Sequence, residues 1–205
     1  MKQVDKEAYR FSSYAHVGRF VSYYHQLDEV VKLAPKTVLE VGVGDGVFRD
    51  YLKHNSDIQY TSVDIAEDLH PDVVGSVTKL PFKDSTFDVV CAFEVLEHLP
   101  FEQFETAVEE IARVAERGAI LSLPHFGPPV QFFLKIPFLK PIQCSFKIPF
   151  ARVHAFNGQH YWEIGKKGYS PRCIRDVLER SFIVEKEFVP FESQYHHFYV
   201  LRKKL

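Results

Sequence analysis

Glu94, Glu97 and His98 stand within five residues in the string EVLEHL, directly after the apolar run FDVVCAF of Phe87 to Phe93. Two carboxylates and an imidazole this close can take a proton from a hydroxyl or hold a divalent cation, and the residue types alone do not choose between these roles. A further imidazole, His160, lies in GQHYWEIGKKGY with Trp162 and Glu163 behind it. A second cluster lies upstream. VLEVGVGDGVF, Val38 to Phe48, sets Gly42, Gly44 and Gly46 at alternate positions between an apolar run and a helical pattern. Glycines at such a junction let the backbone turn tightly and bring its N–H groups to a ligand at a helix N-terminus. The third glycine comes one residue too early for G-x-G-x-x-G, and Asp64 can grip a ribose diol in either a dinucleotide or another nucleoside cofactor. Glycines and acid together leave the cofactor class open.

These residues need a scaffold, and the hydrophobic pattern supplies one. Thr37 to Gly42, Ile58 to Asp64, Asp72 to Ser76, Phe87 to Phe93 and Gly118 to Leu123 read as strands, mostly continuous apolar runs of the kind buried in parallel sheets. Helical patterns separate them: Val47 to His54, and a helix opened by Pro100 with Phe101, Phe104, Val108 and Ile111 on one face. The first 35 residues read as helix, with Phe20, Tyr24, Leu27 and Val31 forming the apolar face and Ala34-Pro35 closing it. Ser170-Pro171 caps a later helix carrying Ile174, Val177 and Leu178, and Phe182 to Val189 and Tyr195 to Arg202 form an antiparallel pair. The pattern predicts an α/β fold: a Rossmann-like doubly wound seven-stranded sheet with an antiparallel C-terminal hairpin, N-terminal helices and an insertion after the fifth strand.

VLEVGVGDG together with GSVTKLPFKDSTFDVVCAFEVLEHLP, Gly75 to Pro100, resembles the class I S-adenosylmethionine-dependent methyltransferases of the type 11 methyltransferase-domain family. The resemblance implies S-adenosylmethionine as cofactor and S-adenosylhomocysteine as product. It implies that Glu40 and Gly42 lie beside the methionine end, that Gly44 and Gly46 give the sugar room, and that Asp64, followed by Ile65, binds the ribose hydroxyls. Ser76 and Val77 are implied to flank the adenine, and Phe93 and Glu94 the sulfonium. Many relatives carry Asp where Ser76 stands, and a neutral hydroxyl makes a weaker partner for the adenine amino group. Glu97, His98 and His160 are the expected catalytic residues. In small-RNA 2′-O-methyltransferases, an E-x-x-E-H string and a later His bind a divalent metal, so Glu94, Glu97, His98 and His160 are also metal candidates. Most relatives carry such a string without metal, and none is expected here.

Composition bounds the rest. The chain has 205 residues and a formal charge of −2, from 25 Lys and Arg against 27 Asp and Glu, so nucleic acid is not an expected partner. Three separated cysteines, an N-terminus without a signal-like apolar run and no membrane-length apolar stretch predict a soluble cytoplasmic protein. Oligomeric state is not legible. One domain is expected: a helical lid over 1–35, a cofactor-binding core over 36–124, an acceptor-binding insertion over 125–169, and a closing helix and hairpin over 170–205. No acidic residue occurs between Glu116 and Glu163, where Lys135, Lys140, Lys147 and Arg152 punctuate an apolar sequence. The insertion therefore predicts a small-molecule acceptor that is anionic or partly apolar, with contact to a membrane surface also open. Six aromatics lie between Tyr9 and Tyr24 and ten between His125 and Ser170, so both segments are expected to close over the acceptor. The expected reaction is methyl transfer to an oxygen of a small-molecule or glycan-like acceptor. The alternatives are an RNA 2′-O-methyltransferase with a divalent metal and a non-catalytic S-adenosylmethionine-binding protein.

Overall fold

The computed structural model describes residues 6–150 and 152–204, so the parts of the expected domain scheme falling on residues 1–5, Ala151 and Leu205 lie outside the described residues. A single turn, α1 (Phe11–Tyr14), leads into α2 (Val17–Leu33), which ends where Ala34 adopts a left-handed conformation. Then follow β1 (Thr37–Val41), α3 (Val47–Asn55), β2 (Gln59–Asp64), β3 (Val73–Val74), β4 (Phe87–Phe93), α4 (Phe104–Val114) and β5 (Ala115–Pro124). A ribbon of β6 (Pro129–Leu134) and β7 (Ile142–Lys147) precedes α5 (Pro171–Ser181), β8 (Phe182–Phe188) and β9 (His196–Lys203). The main sheet runs β3-β2-β1-β4-β5-β9-β8, parallel from β3 to β5 and antiparallel from β5 through β9 to β8. This is the expected seven-stranded α/β sheet. Strand order reverses beside β1, so the C-terminal ends of β1 and β4 flank the crevice where doubly wound sheets bind ligands.

Two cores clamp the sheet. On one side Phe104, Val108 and Ile111 of α4 and Ile174 and Leu178 of α5 pack on Leu39, Val90 and Leu121, all buried. On the other, Val30 of α2 and Phe48 and Leu52 of α3 cover Val38, Val89 and Ile120. The α5 cap forms as expected, with Ser170 Oγ accepting the Cys173 N–H at 3.1 Å.

Helix α2 corrects one expectation. Of its predicted apolar face only Leu27 packs on the core, while Phe20, Tyr24 and Val31 are 51%, 63% and 55% exposed. The helix instead buries Ser22, Tyr23, Gln26, Glu29 and Val30. Burial of the carboxylate is possible because Glu29 Oε1 accepts from Lys186 Nζ at 2.6 Å, tying the helix to β8. The insertion also differs from its sequence pattern. No period was legible in it, yet β6 and β7 pair over six residues from Pro129↔Lys147 to Leu134↔Ile142. Every residue of β6 is exposed, and its Phe132-Phe133-Leu134 run interrupts the short alternation that Ile142 to Lys147 of β7 keeps. No helix among the described residues is long and apolar enough to cross a membrane.

Candidate active site

A cavity of about 400 Å³ opens at the C-terminal edge of the parallel strands. Its wall takes Gly42 and Gly44 from the turn after β1, Asp64 and Ile65 from the end of β2, Ser76 and Val77 from the loop after β3, and Phe93 and Glu94 from the end of β4. Val77 belongs to the buried core, which supports this wall from behind. Gly42 sits at φ +83°, and a Cβ on it would come 2.4 Å from Val95 Cγ2. The turn after β1 and the turn after β4 can approach this closely only with glycine there. Gly44, at φ +55°, would meet nothing nearer than Tyr9 Cε1 at 3.9 Å, which leaves its backbone open to a ligand. Gly46 forms the N-terminal boundary of α3 at φ +78° and does not line the cavity.

The acids around this cavity hold it in shape. Asp64 Oδ2 accepts the Val43 N–H and Oδ1 the Ala66 N–H, both at 2.8 Å, which fixes the glycine turn against β2. Each carboxylate oxygen keeps a further lone pair for a ligand hydroxyl. Asp45 Oδ1 accepts the Val47 N–H at 3.3 Å, and the Tyr23 hydroxyl of α2 donates to Asp45 Oδ2. Glu40 is buried, does not line the cavity, and takes the Tyr60 hydroxyl; burial raises its carboxyl to about 8. Ser76 Oγ pairs with Thr78 Oγ1 at 2.9 Å.

The N-terminal segment forms another part of the wall, through Tyr9 and Tyr14, whose rings meet edge to face at 4.8 Å. Arg19 stacks over the Tyr14 ring at 4.3 Å. Of the insertion expected to bind the acceptor, only Tyr161 lines the cavity among the described residues. Lys135 and Lys147 do not reach it: Lys135 Nζ donates to Leu139 O at 2.9 Å, and Lys147 Nζ to His125 O.

Beside Tyr161 the EVLEHL string and His160 converge. Glu94 holds φ +56°, a conformation costly for a residue with a side chain, and the chain then makes a tight turn over Leu96–His98. Trp162 locks the opposing segment: it is fully buried against Phe101 and Phe104, and its Nε1 donates to Leu99 O at 3.1 Å. The Tyr161 N–H donates to Glu97 O at 2.9 Å. His160 is thereby held with Nδ1 3.1 Å from Glu163 Oε1 and Nε2 3.8 Å from Glu97 Oε1, its ring centre 5.1 Å from that of His98. Burial would raise the Glu163 carboxyl, but the hydrogen bond and charge of His160 and the nearby Lys166 hold it low. Burial drives Glu97 well above the carboxylate range, and burial followed by the charge of His160 brings His98 down to about 4.

Both Glu97 carboxylate oxygens are buried without a hydrogen-bond partner. Ligand atoms of Glu97, His98 and His160 lie within 4.8 Å of one another, a spacing a divalent cation can bridge. Glu94 is not in that cluster; its Oε2 stands 3.5 Å from His196 Nε2, and His196 also meets Arg19 Nη1 at 3.4 Å. His196 and His197 are both buried, and His196 touches a cavity-lining acid that the sequence pattern did not connect to it. The signal that could have found it is topological: an antiparallel strand beside β5 begins at the ligand end of the sheet.

Residues 39–123 match the family model described as a methyltransferase domain, and this span contains the glycine turn, Asp64 and EVLEHL. The chain carries a methyltransferase domain in this span, and its fold is that of the class I S-adenosylmethionine-dependent methyltransferases. Magnesium protoporphyrin IX methyltransferase from Synechocystis PCC 6803, with bound S-adenosylmethionine, is similar at TM-score 0.61 and 17% identity, over 92% of this chain and 81% of that one. The N-methyltransferase NodS from Bradyrhizobium japonicum WM9, in complex with S-adenosyl-L-homocysteine, is similar at TM-score 0.56 and 11% identity, over 89% and 87%. The small RNA methyltransferase HEN1 is similar at TM-score 0.63 and 14% identity, over 91% of this chain but 25% of that one. At these identities the likenesses concern the fold. In this methyltransferase, the cavity volume, the open backbone at Gly44 and the spare lone pairs of Asp64 fit a nucleoside cofactor.

Proposed function

We propose that this enzyme transfers the cofactor methyl group to an oxygen of a small-molecule acceptor, with His160 as general base. Bound S-adenosylmethionine supplies an electrophilic methyl carbon on a cationic sulfur. Asp64 would hold the ribose hydroxyls, with Gly42, Gly44, Ile65, Ser76, Val77, Phe93 and Glu94 as the remaining cofactor wall. Glu40 and Gly46, which lie off the cavity wall, would act by supporting the glycine turn. The observation carrying the base assignment is the hydrogen-bonded pair of His160 Nδ1 and Glu163 Oε1 at 3.1 Å beside cavity-lining Tyr161. A carboxylate behind an imidazole fixes its orientation and stabilises the imidazolium that forms.

His160 Nε2 would take the proton of the acceptor hydroxyl as that oxygen displaces sulfur, which keeps the carbon–sulfur bonding pair, from the methyl carbon that the cofactor supplies. S-adenosylhomocysteine and a methyl ether or ester leave, and the proton passes to solvent. His98 and Glu97, which face His160 across the site, would position the acceptor hydroxyl. Loss of a general base lowers turnover by about 10²–10⁴. His160→Ala should lose turnover on that scale while still binding S-adenosylhomocysteine, and a wild-type methylation rate would reject the assignment.

A second reading draws on the unpartnered oxygens of Glu97. A divalent cation held by Glu97, His98 and His160 would grip acceptor hydroxyl oxygens and lower their pKa, as in a metal-assisted RNA 2′-O-methyltransferase. The formal charge of −2 and the separation of Glu94 from the cluster weigh against it. Calorimetric titration with Mg²⁺ and Mn²⁺, and activity in a chelator, separate the two readings.

A further inference from the structure

We infer that the β6–β7 ribbon docks this enzyme on anionic lipid bilayers by inserting its apolar tip. The ribbon joins the end of β5 at the cofactor edge of the sheet, and six residues per strand carry it about 20 Å outward. One face is apolar and open: Val130, Phe132 and Leu134 of β6 stand beside Phe146, Cys144 and Ile142 of β7, while the opposite face carries Gln131, Phe133, Gln143, Ser145 and Lys147.

The tip, Ile136-Pro137-Phe138-Leu139, is bracketed by Lys135 and Lys140. Phe138 stands at the apex, 105% exposed and at φ +66°. A turn needing only that backbone conformation is served by glycine or asparagine, so a phenylalanine is there for its ring. Lysines can lay their stems along the apolar body and hold their ammonium groups at headgroup level.

Charge decides the occupant. No acidic residue lies between Glu116 and Glu163, and Lys135, Lys140, Lys147 and Arg152 all fall there. A second copy docking through the same tip would set Lys135 and Lys140 against their own counterparts, whereas anionic headgroups complement them. The base of the ribbon is tied to the protein by Gln131 Nε2 donating to Phe191 O and Gln194 Nε2 to Ser145 Oγ at 3.3 Å, so insertion would orient the whole molecule. The inference does not depend on which acceptor the site uses.

The test is co-sedimentation of the full chain with vesicles of phosphatidylcholine alone and of phosphatidylcholine mixed with phosphatidylglycerol. Binding is expected to the mixed vesicles and to weaken with salt. Lys135→Gln with Lys140→Gln should weaken it by more than about tenfold, and Phe138→Ser with Leu139→Ser should weaken it comparably, while S-adenosylhomocysteine binding stays at the wild-type level. Trp162 is the single tryptophan and is buried, so Phe138→Trp gives a reporter whose emission should shift to the blue only with the mixed vesicles. Equal binding by wild type and both double variants, no binding to the mixed vesicles, or a lipid-free dimer that the tip variants dissociate would each overturn the inference.

Discussion

The Tyr23 hydroxyl donates to Asp45 Oδ2 at 2.5 Å, so α2 is latched directly to the middle of the glycine turn. Tyr23 is buried, and a hydrogen bond to a charged group is worth about 1.5–3 kcal/mol. Tyr23→Phe should therefore weaken S-adenosylhomocysteine binding by at least about tenfold, with turnover at saturating cofactor close to wild type. Calorimetric titration beside steady-state kinetics checks this split.

Gly42→Ala should be far more damaging than its single added methyl suggests. The new Cβ would lie 2.4 Å from Val95 Cγ2 in a conformation that disfavours side chains. Backbone strain and overpacking together cost on the order of 2–4 kcal/mol. A lowered midpoint in thermal unfolding, with loss of the stabilising shift from S-adenosylhomocysteine, is the expected outcome.

His125 gives the native state a defined acid sensitivity. Burial, with the charges of Lys147 and His197, lowers its pKa to about 3 from an ordinary 6.5. Between these values the unfolded chain binds a proton that the native protein refuses, so this contribution to stability is present above pH 6.5 and is lost as pH falls toward 3. His125→Gln should lose less stability than wild type between pH 7 and pH 4, as read from urea unfolding across that range.

Polar substitution on the outer face of α2 should be nearly silent. Tyr24→Lys and Val31→Lys are expected to stay within about 0.5 kcal/mol of wild type. Val30→Ala, on the buried face, should cost roughly 2 kcal/mol. Similar losses at all three positions in chemical unfolding would contradict the observed orientation of the helix.

What was legible in the sequence followed from contrast. The parallel strands announced themselves because their apolar runs end in glycines or acids, and Gly42, Gly44, Asp64 and EVLEHL all fall at those ends. The α2 face was misread because the helix buries Ser22, Gln26 and Glu29, whose burial depends on partners such as Lys186 that lie 157 residues away. The β6–β7 ribbon was hidden for a different reason: Ile142 to Lys147 alternates apolar with polar, but over six residues only, and the Phe132-Phe133-Leu134 run of β6 breaks the pattern. The clustering of Glu97, His98 and His160 was suggested by family resemblance, but their separation was not. It depends on the Trp162 anchor, a tertiary contact with no local signature.

Strand β9 lies inside the sheet, between β5 and β8, and its first residue, His196, touches Glu94 of the cavity wall. Without that strand β5 keeps an open edge, and β8 has no neighbour in the sheet to pair with. A chain cut before His196 would keep the glycine turn and Asp64 but lose both the strand that holds β8 in the sheet and the imidazole beside Glu94.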